Sequence, residues 1–313
     1  MLWHRAKKYS WLPQWETGKF SLIGPWDLNF VFEPSRGMPF QRHSDPTIPD
    51  ADLALDAVIF DTVLWVGQVS LQPSEWETPK AQFEDIVRLF HLGAFGELTV
   101  EKLAFIGRTI RARRDAYGGI TPSPTSSDED LFTAHFANLL STLNVPLPPA
   151  VRSLAAAGNK DIFLEAAQNV CSPCRSIFFT MAGHFGLGPY STAVGDLVAV
   201  LGGAHMPVVL GRATREPLAP EPAFDGYELI GECFVDDILH GEIIDATIGG
   251  KTHRGPFEPR LLFERLFNFC ALAESSRSEY EGLRKVVWRK CEGELEQRRL
   301  EVEVIKLIDT MAN

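Results

Sequence analysis

Strand periodicity occupies two blocks of this 313-residue chain that lie far apart in sequence. In the first block, Leu53, Leu55, Ala57 and Ile59 alternate with more exposed neighbours, and Thr62 to Val69 continues the run after a turn or bulge. Shorter strands are expected before it, at Phe20–Ile23 and Asn29–Phe32, with a Pro-rich loop to Asp50. The second block holds Ser176–Thr180, then Leu197–Leu201 and Met206–Leu210 as a hairpin, then Tyr227–Val235. Gly195–Asp196 and Gly202–Gly203 supply its turns. Neither block carries enough strands to close a core alone, so the two must pair across whatever separates them. The sequence therefore predicts an α+β fold: a small, mainly antiparallel β-barrel with a helical insertion and a C-terminal helix. Closing the sheet into a barrel removes exposed strand edges without a second sheet.

The separating stretch has helical spacing. Phe83, Ile86, Val87 and Phe90 fall at i, i+3, i+4 and i+7, and Leu103, Ile106 and Ile110 repeat the stripe. Phe132, His135, Phe136, Leu139, Leu140 and Leu143 mark a stronger helix, and Phe163, Ala166, Ala167 and Val170 another, with Asn159 as its N-cap. A polar Gly/Pro loop at 118–129 interrupts them. Near the end, Leu283, Val287, Cys291, Leu295, Val302 and Ile305 share one face between many charges. The expected divisions are barrel strands at 1–75, the helical insertion at 76–174, the remaining barrel strands at 175–257 and a helical region at 258–313.

Hydrophobic residues at 45% provide enough material for a large core and argue against disorder. The net charge of -11 repels polyanions, so neither nucleic acid nor an anionic membrane is an expected partner. No apolar run is long enough to span a bilayer. Five scattered cysteines fit reduced thiols and a cytoplasmic location, with the nucleus also compatible. Of seven Trp, all but Trp288 lie at or before Trp76, and Trp11 and Trp15 sit in a segment that reads as packing against something.

Four groups of residues carry chemistry, and each has a simpler reading. Cys171 and Cys174 form a C-x-x-C, but no second pair completes a zinc site, and the expected order of elements is wrong for a redox site. Gly183 to Pro189 is glycine-rich, yet Pro189 removes a donor and a strand follows, so a tight connection is preferred to a phosphate loop. Asp236, Asp237, His240, Glu242, Asp245 and His253 offer ligands or acid–base groups, and equally suit a solvated loop or short helix. Arg108, Arg111, Arg113 and Arg114 form a basic patch on one helix that could hold an acidic partner or a phosphate group, but in a chain this acidic internal salt bridges are preferred. The sequence thus predicts no catalytic set, metal or cofactor. The competing reading is an enzyme or a metal- or ligand-binding barrel using the Asp236–His253 cluster or Cys171/Cys174.

An ordered set of motifs points to a family. It comprises Arg175-Ser-Ile-Phe-Phe-Thr, Gly183, Gly186-Leu-Gly188-Pro189, Gly195-Asp196, Pro207-Val-Val-Leu210, Tyr227 to Val235 with Gly231 and Glu232, and Gly241-Glu242. Upstream, Ser10-Trp11-Leu-Pro-Gln-Trp15, Asp61 followed by Thr-Val, and Arg108-Thr109 fit the same pattern. From about Ser10 to about Glu242 the chain resembles the C-terminal region of fungal heterokaryon-incompatibility (HET) proteins. Asp237 departs from the pattern, which often has Gly there.

The resemblance implies a barrel-like domain with helical insertions. In that family an N-terminal HET domain, similar to TIR domains, triggers cell death after a non-self encounter. That effector domain is expected to be missing here, leaving an orphan or truncated paralogue. The implied function is a non-catalytic recognition or regulatory module with a HET-domain relative as protein partner. Trp11, Trp15, Asp61, Arg108, Arg175, Gly186, Gly188, Pro189, Gly195, Asp196, Gly231, Glu232, Gly241 and Glu242 are its expected structural or interaction residues. For Glu232, a buried position paired with backbone N–H groups or with Arg175 is expected.

Overall fold

A computed structural model describes residues 32–40, 42–43, 54–69, 79–120, 127–171, 175–212 and 227–258. In chain order the elements are β1 (Arg42–His43), β2 (Ala54–Leu55), β3 (Ala57–Val69), α1 (Pro79–Gln82), α2 (Glu84–His91), α3 (Val100–Ile110), α4 (Ser127–Thr142), α5 (Pro149–Ala155) and α6 (Lys160–Cys171). They continue with β4 (Arg175–Thr180), β5 (Phe185–Gly188), β6 (Leu197–Leu201), β7 (Val208–Arg212), β8 (Tyr227–Glu232), β9 (Phe234–Val235), a 3-10 turn at Asp236–Ile238 and α7 (Glu242–Ile248). Trp11, Trp15, Cys174, the strand expected at 20–23 and the C-terminal helix lie outside the described residues. So does most of the strand expected at 29–32, of which only Phe32 is described, in irregular structure.

The strand β3 joins the two blocks. Its first half pairs antiparallel with β6 (Ala57↔Leu201 to Thr62↔Leu197), and its second half pairs with β4 (Val63↔Thr180 to Val69↔Arg175). A register shift between Ile59 and Asp61 is the bulge expected in the sequence, and it lets one strand serve two partners. The resulting order is β8-β7-β6-β3-β4-β5-β9, antiparallel throughout, while β1 and β2 form a separate pair.

The two outer strands of that order are consecutive in the chain, with only Cys233 between them. The segment Tyr227–Val235 pairs with β7 through its first part and with β5 through its last (Leu187↔Phe234, Gly186↔Val235). At the break, Cys233 N–H donates to Pro207 O at 2.9 Å. The sheet is thus carried round on itself by one segment, without a ladder between β8 and β9: a curled sheet of barrel type that is incompletely closed.

The two faces of the sheet bury different material. Val63, Phe178, Val198, Val209, Cys233, Val235 and Ile238 form one cluster drawn from all around the curl, so they line its concave side. On the other face of β4 and β5, Ile177, Phe179, Phe185 and Leu187 join the larger cluster with Phe83, Ile86, Leu103, Ile106, Phe136, Leu140 and Phe163 from the helices. Both faces of β4 and β5 are therefore buried, and their run of apolar residues follows from that. Phe95, Phe179, Phe185 and Phe257 meet edge-on or tilted, with centroids 4.9–6.1 Å apart, at the seam between helices and sheet.

The helices start where the sequence places caps. Asn159 Oδ1 accepts from Asp161 N–H at 2.9 Å ahead of α6, and Thr99 Oγ1 accepts from Lys102 N–H ahead of α3. Two stretches differ from expectation. The glycine-rich run is not a simple connection: Phe185–Gly188 is the strand β5, because its Gly186 pairs with Phe178 and a Cβ there would come within 2.3 Å of that ring. Gly186→Ala is expected to lower stability by about 1–3 kcal/mol through this collision in a buried strand. An unchanged urea midpoint would show that Phe178 is free to move. The second difference is β8, expected largely inside the barrel. Its residues run from exposed at Tyr227 and Glu228 to half-buried at Glu232, and only Cys233, Phe234 and Val235 are buried.

Candidate functional site

The basic patch turns inward. Arg108, at the end of α3, donates Nε–H to Asp236 Oδ2 at 2.9 Å, and Arg113 donates Nε–H to the other oxygen, Oδ1, at 2.7 Å. All three side chains are largely buried, at 13%, 5% and 4% exposure. The four arginines do not share one helix, since α3 stops at Ile110 and the chain bends sharply beyond it. Ala112 and Arg113 take left-handed backbone conformations (φ 47° and 56°), which L-residues rarely adopt, and this bend aims Arg113 at Asp236. Arg111 is paired with Glu129 of α4 in a second buried ion pair, donates to Arg114 O at 2.7 Å and lies 4.3 Å from the centroid of the Phe132 ring. Burial lowers the pKa of Arg111, and the Glu129 charge opposes the shift.

Beside Asp236, Asp237 turns to a different set of partners. His184 Nδ1 lies 2.8 Å from Asp237 Oδ2, and His253 Nε2 lies 3.1 Å from the Asp237 main-chain oxygen. Burial pushes the Asp237 carboxyl up, but hydrogen bonds to His184 and His253 outweigh it and hold the group below its ordinary range. The bond to Asp237 raises His253 against the opposite pull of burial. Asp61 also lies within electrostatic reach of His184. Its two oxygens accept from Thr62 N–H (2.8 Å) and Ala182 N–H (2.9 Å), and burial raises its pKa while His184 and these bonds counter the rise.

The remaining expected residues serve the frame. Gly186 and Gly188 pack under Phe178, and Pro189 packs against Gly231. Gly195 and Asp196 dock on β3: Gly195 N–H donates to Val63 O, and Val63 N–H donates to Asp196 O. Gly241 caps α7 in a left-handed conformation, and Glu242 Oε2 accepts from His240 N–H at 2.8 Å. Arg175 opens β4 with the charge of Glu232 acting on it, so these two lie within electrostatic reach, although Glu232 is only half-buried. Of the cysteines, Cys171 and Cys233 are buried thiols, and Cys171 Sγ–H donates to Ile110 O.

The structure therefore splits the acidic cluster of the sequence. Asp236 belongs to the arginines and Asp237 and His253 to an imidazole group, while Asp245 pairs with Arg36 at the surface. His184 was not foreseen in that group. It lies in the glycine-rich run, more than fifty residues from Asp237, and only the β5–β9 pairing brings the two together.

Among the described residues no helix is long and apolar enough to cross a membrane. Neither the curated proteins nor the solved structures contain a match to this chain. A family model does match: the Het-6 beta-barrel domain, over residues 155–249. That span runs from the last residue of α5 through α6, the strands β4–β9 and α7, so it takes in Asp236, Asp237 and His184 but not β3. The match to residues 155–249, about a third of the chain, is consistent with the C-terminal barrel region of heterokaryon-incompatibility proteins, and it falls on all the strands of the curled sheet except β3.

Proposed function

We propose that this chain is a non-catalytic recognition or regulatory module of heterokaryon incompatibility, acting through a protein partner that bears a HET domain. The observation that carries the reading is the match of residues 155–249 to the Het-6 beta-barrel domain, which links the chain to the heterokaryon-incompatibility family. The inward pairing of the arginines supports it. Arg108, Arg111 and Arg113 are spent on Asp236 and Glu129 inside the fold rather than offered to a substrate. Binding to one state of a partner is enough to shift that partner's activity, with no chemistry at the barrel. The place of action is the cytoplasm, where such a relative would be met.

Expression in a fungal host, alone and beside a full-length HET-domain relative, tests this. The 313-residue chain alone is expected to leave growth unchanged and to alter death only in co-expression. Rapid death from the chain by itself would overturn the reading, and so would identical growth with and without it beside a panel of such relatives.

A further inference from the structure

His184, Asp237 and His253 come from three separate segments and converge at one end of the curled sheet. His184 precedes β5, Asp237 lies in the 3-10 turn after β9, and His253 lies beyond α7. One nitrogen or oxygen from each lies within 4.8 Å of the others. His184 Nδ1 is 2.8 Å and His253 Nε2 3.6 Å from the same oxygen, Asp237 Oδ2. The two imidazoles lie nearly parallel, at 21° with centroids 5.5 Å apart. The His184 side chain is wholly buried, whereas Asp237 and His253 keep 19% and 27% exposure, so the group opens to solvent on one side.

Hydrogen bonding alone leaves this group incomplete. His184 Nε2 and Asp237 Oδ1 are buried and have no hydrogen-bond partner among the described residues. Each such atom costs about 1–3 kcal/mol, so two in one small cluster call for an explanation. A cation at Oδ2 would supply the carboxylate with the opposite charge that hydrogen bonding to its second oxygen does not.

We propose that His184, Asp237 and His253 bind a divalent transition-metal ion of the zinc type, one per chain. Two imidazole nitrogens and a carboxylate oxygen suit zinc and its neighbours, whereas calcium and magnesium take oxygen ligands. Bonds of about 2.0–2.1 Å in tetrahedral geometry place ligand atoms roughly 3.3 Å apart, between the 2.8 and 3.6 Å found here. The three ligand atoms lie within 4.8 Å of one another, so drawing them in would seat the ion, with a fourth position left for water on the open side.

The surroundings are those of a metal centre. The segment carrying His253 is pinned to the turn carrying His184: Gly255 N–H donates to Ala182 O (3.0 Å) and Phe257 N–H to Gly183 O (3.2 Å). The contact is so close that a Cβ on Gly255 would fall 2.2 Å from the Gly183 backbone. Asp61 adds a buried carboxylate within electrostatic reach of the His184 imidazole. The ion would tie the β4–β5 turn, the 3-10 turn and the segment after α7 together. This site goes beyond the recognition reading and does not depend on it.

The test uses the purified full chain, stripped by a chelator and titrated with Zn2+ by calorimetry, with Co2+ as a spectroscopic probe. Expected are one Zn2+ per chain, a rise in Tm on binding and a visible d–d band with Co2+. His253→Ala, at a half-exposed position, is expected to weaken Zn2+ binding more than about tenfold. His91→Ala, at an exposed residue elsewhere, is expected to bind as the parent does. The Co2+ spectrum of the unmutated chain keeps the test valid if His253→Ala fails to fold. No stoichiometric Zn2+ binding, equal binding by His253→Ala, or a strong sulfur-to-cobalt charge-transfer band placing the ion on cysteine would each overturn the proposal.

Discussion

Asp236→Ala is expected to cost about 3–5 kcal/mol of folding stability, read as a lower urea midpoint at unchanged slope. Asp236 is the only carboxylate hydrogen-bonded to Arg108 and Arg113 among the described residues, one arginine on each oxygen. Its removal takes the carboxylate from two guanidinium groups in a space that water barely reaches. Neither can lose its proton, so each keeps its desolvation penalty without the charge of Asp236. The bend after α3 adds to the effect. Ala112 and Arg113 hold left-handed backbone conformations costing about 1–2 kcal/mol each, and the ion pair with Asp236 holds that bend in place. Without Asp236 the bend should relax, so amide exchange at residues 111–114 is expected to rise well before global unfolding. Arg108→Ala is expected to cost less, since Asp236 keeps Arg113, the more deeply buried of the two arginines. A loss below about 1 kcal/mol for Asp236→Ala would mean that water reaches both arginines and the pairing is of the surface kind.

Much of the helical layer was legible because its periodicity is local. The apolar stripe through Phe83, Ile86, Val87 and Phe90 becomes the buried face of α2 and its flank, and Asn159 does cap α6. The helix α5 was not legible. It has seven residues, too few to repeat a stripe, and its main signal is Pro149 at its first turn. The strand β5 was hidden for a different reason. Two of its four residues are glycine, which local preference counts against a strand, and it forms because Phe178 needs the space those glycines leave. The pairing of the two strand blocks through β3 followed from counting: neither set had enough strands alone. The manner of closure, by one segment that serves both edges, depends on a break at Cys233 that alternation of residue types does not mark.

The site shows the same division. A dense run of Asp, His and Glu between Asp236 and His253 was visible, but the partition within it was not. Successive residues of a 3-10 turn point about 120° apart, so the adjacent Asp236 and Asp237 face different neighbours. One meets arginines from the helical insertion, more than a hundred residues upstream, and the other meets an imidazole from β5's entry turn. Such pairings across long separations are products of strand register, which one sequence read in isolation does not contain.

The second large effect is expected at Glu129, and there the comparison of single and double variants is the informative measurement. Arg111 heads the largest fully buried side chains described, and its partner is 4% exposed. Glu129→Ala leaves that guanidinium buried, and burial already lowers its pKa without freeing it of charge at neutral pH. A loss of about 3–5 kcal/mol is expected, with a small part from removing an acidic residue from the first turn of α4. Replacing both partners, as Arg111→Met with Glu129→Leu, removes both desolvation penalties at once. The double variant should recover most of the loss, because a buried ion pair is held in place more than it stabilises. Recovery should stop short of the parent by about 1 kcal/mol, since Arg111 Nη1 also donates to Arg114 O and that carbonyl would lose its donor. A double variant as unstable as Glu129→Ala would show instead that the pair fixes the approach of α4 to the bend after α3. The two outcomes separate a buried charge that the fold tolerates from one on which the position of a helix depends.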